Sequence, residues 1–130
     1  MTIPEDLFYS EEHEWVRVED DGIVVGITDY AQDELGDIVY VELPAVGRAF
    51  EAQEEIGSIE SVKAVAEVYT PVGGEVAEVN AALVDRPELL NTDPYGDGWL
   101  LRLAVDGEID LSDLMDAEAY RQFTSAGDGA

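Results

Sequence analysis

Clusters of turn residues divide this chain of 130 residues into apolar stretches of strand length. Glu19-Asp20-Asp21-Gly22, Pro44 to Gly47, Pro71-Val72-Gly73-Gly74 and Asp93-Pro94-Tyr95-Gly96-Asp97-Gly98 each break such a stretch. Between them, Glu14 to Glu19 alternates, with Val16 and Val18 on one face and Trp15 and Arg17 on the other. Ile23 to Ile27 is almost continuously apolar, and Ile38 to Leu43 places Val39, Val41 and Leu43 on the expected core face. Further strands are expected at Arg48–Ala52, Ile56–Glu60, Val65–Thr70, Glu75–Asn80 and Trp99–Val105, the last with Trp99, Leu101, Leu103 and Val105 on one face. Many short strands separated by turns predict a mainly β fold, a small sandwich or barrel. The length suits a single domain over 1–130 with its own core.

Helical signals are few. Asp29 to Leu35 is expected to form a short helix, capped by Thr28 or Asp29 and stopped by Gly36. Pro87-Glu88-Leu89-Leu90 reads as one helical turn. Ser112 or Asp113 can cap a short helix, and Asp116 a second one to about Phe123, with Met115, Ala119, Tyr120 and Phe123 as its buried stripe. Residues 124–130 read as a frayed tail. At the other end, Pro4 to Glu12 is a lead-in segment anchored by Leu7, Phe8 and Tyr9. Trp15, Tyr40 and Trp99 are expected in the core.

Composition narrows the chemistry. The chain has no cysteine, which removes disulfides, thiolate zinc sites and a cysteine nucleophile, and one histidine, His13, too few for a histidine metal site. No Asp-x-Asp-x-Asp-Gly calcium loop is present. The formal net charge of −25 argues against binding nucleic acid or an anionic membrane surface. Met1 to Tyr9 has neither the basic nor the apolar region of a signal peptide, and no apolar run approaches a membrane span, so a cytoplasmic protein is expected. The acids are dispersed and form no long block, a pattern that suggests adaptation to high salt, where screening is short-ranged.

Against that background, Lys63 stands out as the only lysine in the chain. The strand-like runs on either side predict a hairpin with Lys63 at its tip. The tip, Ser61-Val62-Lys63-Ala64, lacks the Asn-Gly or Asp-Gly chemistry of a tight hairpin, so something besides turn formation is expected to have selected it. A compact ε-amine at an uncrowded tip is open to acylation, as a guanidinium is not.

Glu60-Ser61-Val62-Lys63-Ala64 resembles the lipoyl-attachment motif of the glycine cleavage system H protein family. Other segments carry the same resemblance in order: Ser10 to Val16 around His13-Glu14-Trp15, Gly26 to Asp33, Leu35 to Pro44, Pro71 to Val76, and Asn91 to Leu100. The resemblance covers nearly the whole chain. Val62 and Ala64 take the place of the methionines that flank a biotinyl lysine, and Val62 that of the acid before the lysine in lipoyl domains of 2-oxoacid dehydrogenases.

The resemblance implies a barrel-sandwich hybrid, the lipoyl-domain fold, with short helices including a C-terminal one. It implies a carrier, not an enzyme, with lipoate covalently attached to Lys63. The partners it implies are a pyridoxal-phosphate glycine decarboxylase, a folate-dependent aminomethyltransferase and a flavin-dependent dihydrolipoyl dehydrogenase, with a lipoate ligase or lipoyltransferase acting earlier. A monomer is expected. The resemblance places Glu14, Glu67 and Thr70 around a cleft for the loaded arm, with Glu12 where the family often has a small hydroxyl residue. His13 and Glu14, adjacent in sequence, are expected to face apart and not to act as an acid–base pair, with His13 packing or hydrogen-bonding near Trp15. Two other functions fit the sequence: a lipoyl relay to other proteins, or an acidic interaction protein without a cofactor.

Overall fold

The computed structural model describes residues 2–129, with side chains described through residue 125. Among the described residues nine strands form two sheets. The larger contains β1 (Phe8–Tyr9), β2 (Glu14–Glu19), β3 (Gly22–Ile27), β9 (Leu101–Ala104), β8 (Gly74–Val79) and β5 (Ala49–Phe50), in that order. The smaller runs β4 (Ile38–Glu42), β6 (Glu55–Ser61), β7 (Val65–Tyr69). All pairings are antiparallel. One core joins the sheets, with Val16, Ile23, Val25, Leu101 and Leu103 from the larger and Ile38, Val41, Ile56, Ile59 and Val68 from the smaller. A second cluster, around Tyr9, Trp15, Val24 and Tyr120, packs the other face of the larger sheet against the chain's two ends.

The helices are short: α1 (Asp29–Leu35), α2 (Ala82–Asp85), α3 (Leu89–Thr92) and α4 (Ala117–Gly129). The expected boundaries of α1 hold. Thr28 accepts from the Ala31 amide, and Gly36 closes the C-terminus with its own amide donating to Gln32. Asp116 caps α4 through Oδ1, 2.8 Å from the Ala119 amide.

Several expectations are corrected. Val39 is exposed, not core, and so is Tyr40. A register shift between Ile38 and Tyr40 breaks the simple alternation, so that Ile38 and Val41 are the inward residues of β4. The expected helix at Ser112 or Asp113 is absent; the Ser112 amide and hydroxyl instead both donate to Asp110 Oδ1. Helix α4 continues beyond Phe123, and its buried positions are Ala117, Tyr120 and Thr124, while Ala119 and Phe123 are exposed. The hydroxyl of Thr124 donates to the carbonyls of Tyr120 and Arg121. The expected tail therefore starts inside the helix, and Ala130 lies outside the described residues.

Candidate functional site around the lysine hairpin

Strands β6 and β7 pair from Glu55↔Tyr69 to Glu60↔Val65, leaving Ser61 to Ala64 as the tip. Ser61 builds the turn. Its buried hydroxyl oxygen accepts from the amides of Lys63 (3.3 Å) and Ala64 (3.0 Å), and its amide donates to the Ala64 carbonyl at 2.8 Å. A serine hydroxyl thus supplies the local closure that Asn-Gly provides elsewhere. The Val62 amide donates to the Asp37 carbonyl, tying the tip to the connection between α1 and β4.

Lys63 is exposed between exposed Val62 and Ala64. Among the described residues its amine forms no ion pair, although the chain holds 31 Asp and Glu. Its aliphatic stem passes over Gly36, where a β-carbon would sit 3.4 Å from Cε and 3.9 Å from Nζ. Gly36 has φ 78° and ψ −152°, a region open to glycine almost alone. Asn91 secures this corner: its Nδ2 donates to the carbonyl of Gly36 and to Gln32 Oε1, and its Oδ1 accepts from the Ile38 amide. An acylated Lys63 therefore fits this tip: the amine is accessible and its mount is closed by hydrogen bonds on both sides.

At the other end of β7 lies Glu14, a carboxylate with only 3% of its surface exposed. Its Oε1 accepts from the Ser10 hydroxyl at 2.6 Å and its Oε2 from the Tyr69 amide at 3.2 Å. Burial pushes its pKa up to about 7, the two hydrogen bonds oppose the rise, and nearby Glu12 adds to it. Glu67 is exposed two residues along β7 and accepts from the Tyr69 hydroxyl. Glu12 is exposed and lines a cavity of about 150 Å³ with Ser10, Glu11, Gln53, Asp113 and Leu114. Thr70 is fully buried, and its hydroxyl donates to the Val72 carbonyl at 2.6 Å. Glu14, Glu67 and Thr70 thus lie around the C-terminal end of β7, Glu67 exposed and Glu14 and Thr70 buried.

The ring of His13 packs among aromatic side chains of α1 and α4. It stacks on Tyr30 and its Nδ1 hydrogen-bonds the Tyr120 hydroxyl at 2.8 Å, which in turn bonds Thr28 Oγ1. It joins α4 to the body of the fold.

A family model described as glycine cleavage H-protein matches residues 7–127. The chain belongs to this family. Its members are lipoyl carriers of the glycine cleavage system and not catalysts, and they bear the lipoate on a lysine. The chain is 52% identical over 124 residues to the glycine cleavage system H protein of Alkalilimnicola ehrlichii, covering 95% of each chain. It is 55% identical over 122 residues to that of Thermus thermophilus, covering 94% of this chain and 95% of the relative. A crystal structure of a glycine cleavage system H protein from Mycobacterium marinum superimposes with a TM-score of 0.86 at 37% identity, covering 98% of this chain and all of the other. The two sheets are the lipoyl-domain-like barrel sandwich of the H-protein family, extended by short helices. Membership implies that the chain works with the other components of the glycine cleavage system. Among the described residues no helix is long and apolar enough to cross a membrane.

For this H-protein family member, sequence reasoning found the hairpin and Glu14 but missed the residues that hold them. Asn91 acts through residues distant in sequence, Gly36 through its backbone angles, and Ser10 and Ser61 through hydrogen bonds to nearby residues that exist only once their turns have closed. Only Gly36, as the stop of a capped helix, left a signal in the sequence.

Proposed function

We propose that Lys63 is the lipoylated residue and that the chain carries the aminomethyl group of glycine from a pyridoxal-phosphate glycine decarboxylase to a folate-dependent aminomethyltransferase. In this reading a flavin-dependent dihydrolipoyl dehydrogenase then reoxidises the arm, and a lipoate ligase or lipoyltransferase attaches it beforehand, all in the cytoplasm. The observation that carries the reading is the exposed amine of the chain's only lysine, which forms no ion pair among the described residues, on a braced hairpin tip.

Lipoate, when bound, supplies a dithiolane that opens by thiol-type exchange and reductive transfer. The chain supplies the mount and the shelter. The tip projects Lys63 away from the sheet, and the Gly36 corner leaves room for its stem. Glu14 and Glu67 offer negative charge at the far end of β7, where a cationic amine is stabilised most if water is partly excluded. Glu12 keeps the rim electronegative.

The test is intact-mass measurement of protein co-expressed with a lipoylating enzyme, for the parent and for Lys63→Arg. A single lipoyl adduct on the parent and none on the variant is expected. An adduct that persists in Lys63→Arg, or a parent that takes none, would sink the assignment.

A further inference from the structure

The hydroxyl of Ser10 is bonded to both ends of Glu14. It donates to Oε1 at 2.6 Å and accepts from the Glu14 amide at 3.1 Å. The backbone closes the same turn: the Ser10 amide donates to the Glu14 carbonyl and the His13 amide to the Ser10 carbonyl. His13 makes this possible by adopting φ 68°, which turns the chain back so that residues 10 and 14 face each other. Ser10 itself is 6% exposed. With the Tyr69 amide on the second oxygen, the carboxylate is held at two points, and about half of its roughly four lone-pair sites remain for a ligand.

We propose that Ser10 is a positioning residue, which fixes the Glu14 carboxylate in the orientation that receives the cationic amine of the loaded arm. This rests on the reading above, in which Glu14 faces that amine. An unanchored glutamate so buried would rotate toward solvent or take up a proton, and in either state it would cease to be an oriented anion. The groups that bear on it are few: the Ser10 hydroxyl and Glu12 from its own turn, and the Tyr69 amide from β7. Among these, the Ser10 hydroxyl is the strongest influence that favours the charged form.

The experiment follows the Glu14 side-chain carboxyl carbon by NMR as a function of pH in lipoylated protein. The proteins compared are the parent, Ser10→Ala, Ser10→Thr and Glu14→Gln, the last to assign the signal. Removing one hydrogen bond to a charged group should raise the Ser10→Ala midpoint by about one pH unit, a tenfold rise in proton affinity. Ser10→Thr, which keeps the hydroxyl, should return it toward the parent value. A Ser10→Ala midpoint equal to the parent's, or a Ser10→Thr midpoint displaced as far as that of Ser10→Ala, overturns the proposal. The lifetime of the aminomethyl-loaded form, followed by ammonia release after the decarboxylase is removed, is measured on the same proteins. Ser10→Ala should shorten it and Ser10→Thr restore it. A shortened lifetime in Glu14→Gln with a parent-like lifetime in Ser10→Ala overturns the proposal while leaving the function intact. Equal lifetimes in Glu14→Gln and the parent count against the function assigned to Glu14 itself.

Discussion

The stem of Lys63 lies across Gly36, close enough that a β-carbon on the glycine would touch Cε at 3.4 Å. That separation is an ordinary van der Waals contact, so an alanine would fit beside the lysine. The backbone would not tolerate it as well, because φ 78° with ψ −152° is a glycine conformation. Gly36→Ala should therefore cost about 1–3 kcal/mol by chemical denaturation. The loss should come with a shifted Asn91 amide environment in NMR, since Asn91 Nδ2 is bonded to the Gly36 carbonyl. Unchanged stability would mean that the loop relaxes freely and does not brace the lysine.

Ser61→Ala tests the tip. Two amides lose their acceptor, but both belong to exposed residues and can turn to water. The expected loss is about 1 kcal/mol in stability. A larger effect is expected on the rate of lipoylation, because the tip would no longer hold one conformation. Hydrogen exchange at the Lys63 and Ala64 amides should accelerate, and parent-like exchange would show that Ser61 does not close the turn.

Part of this site could be read from the sequence and part could not, for physical reasons. Strand positions followed from local alternation and turn residues, and α1 from its cap and its stop, because those signals act within a few residues. Lys63 was conspicuous by composition. The inward face of β4 was misassigned because a register shift at Ile38 and Tyr40 is set by pairing with β6, not by β4 itself. The turn role of Ser61 left no signal, because the tip Ser61 to Ala64 lacks Asn-Gly or Asp-Gly and closes instead through the acceptor oxygen of a serine. Ser10 carried no signal, since its partnership with Glu14 exists only after His13 takes a positive φ. The buried stripe of α4 is selected by its packing against Tyr9 and His13 from the other end of the chain.

Glu14 should make stability fall with rising pH. Its pKa is raised from 4.5 to about 7 in the folded protein, so between those values the folded state holds a proton that the unfolded state has lost. The folded state is thus favoured below about pH 4.5, and that advantage disappears as pH rises through about 7. The full shift corresponds to about 3 kcal/mol. Many other carboxylates titrate in the same range, so the measurement is the difference between parent and Glu14→Gln. In denaturant melts the variant should gain on the parent from pH 5 to pH 8. A constant difference would show that the carboxylate is ionised in the fold at both pH values.

The charge balance makes a final prediction about salt. Six Lys and Arg face 31 Asp and Glu; among the described residues Arg86 pairs with Glu88 alone, and the other two cations in ion pairs are each shared between two carboxylates. Arg102 bridges Glu19 and Glu78 across the larger sheet, and Arg121 bridges Glu5 and Glu118 between the lead-in segment and α4. Arg17 lies over Trp15 and donates to the Tyr95 carbonyl, and Arg48 lies over Phe50. Most of the carboxylates thus have no cation, and their mutual repulsion is relieved only by screening. At 0.01 M ionic strength the screening length is about 30 Å, which spans a domain of this size, and at 1 M it is about 3 Å. Unfolding moves these charges apart, so low salt should favour the unfolded chain. The Tm should climb with sodium chloride from 0.01 M to 1 M, most steeply at the low end, where the screening length changes most. Removing Arg102 with Arg102→Gln should steepen that climb, because two more carboxylates then lose their partner. A Tm independent of salt in both proteins would show that the acids are spaced widely enough not to repel, and the high-salt reading of the composition would fall.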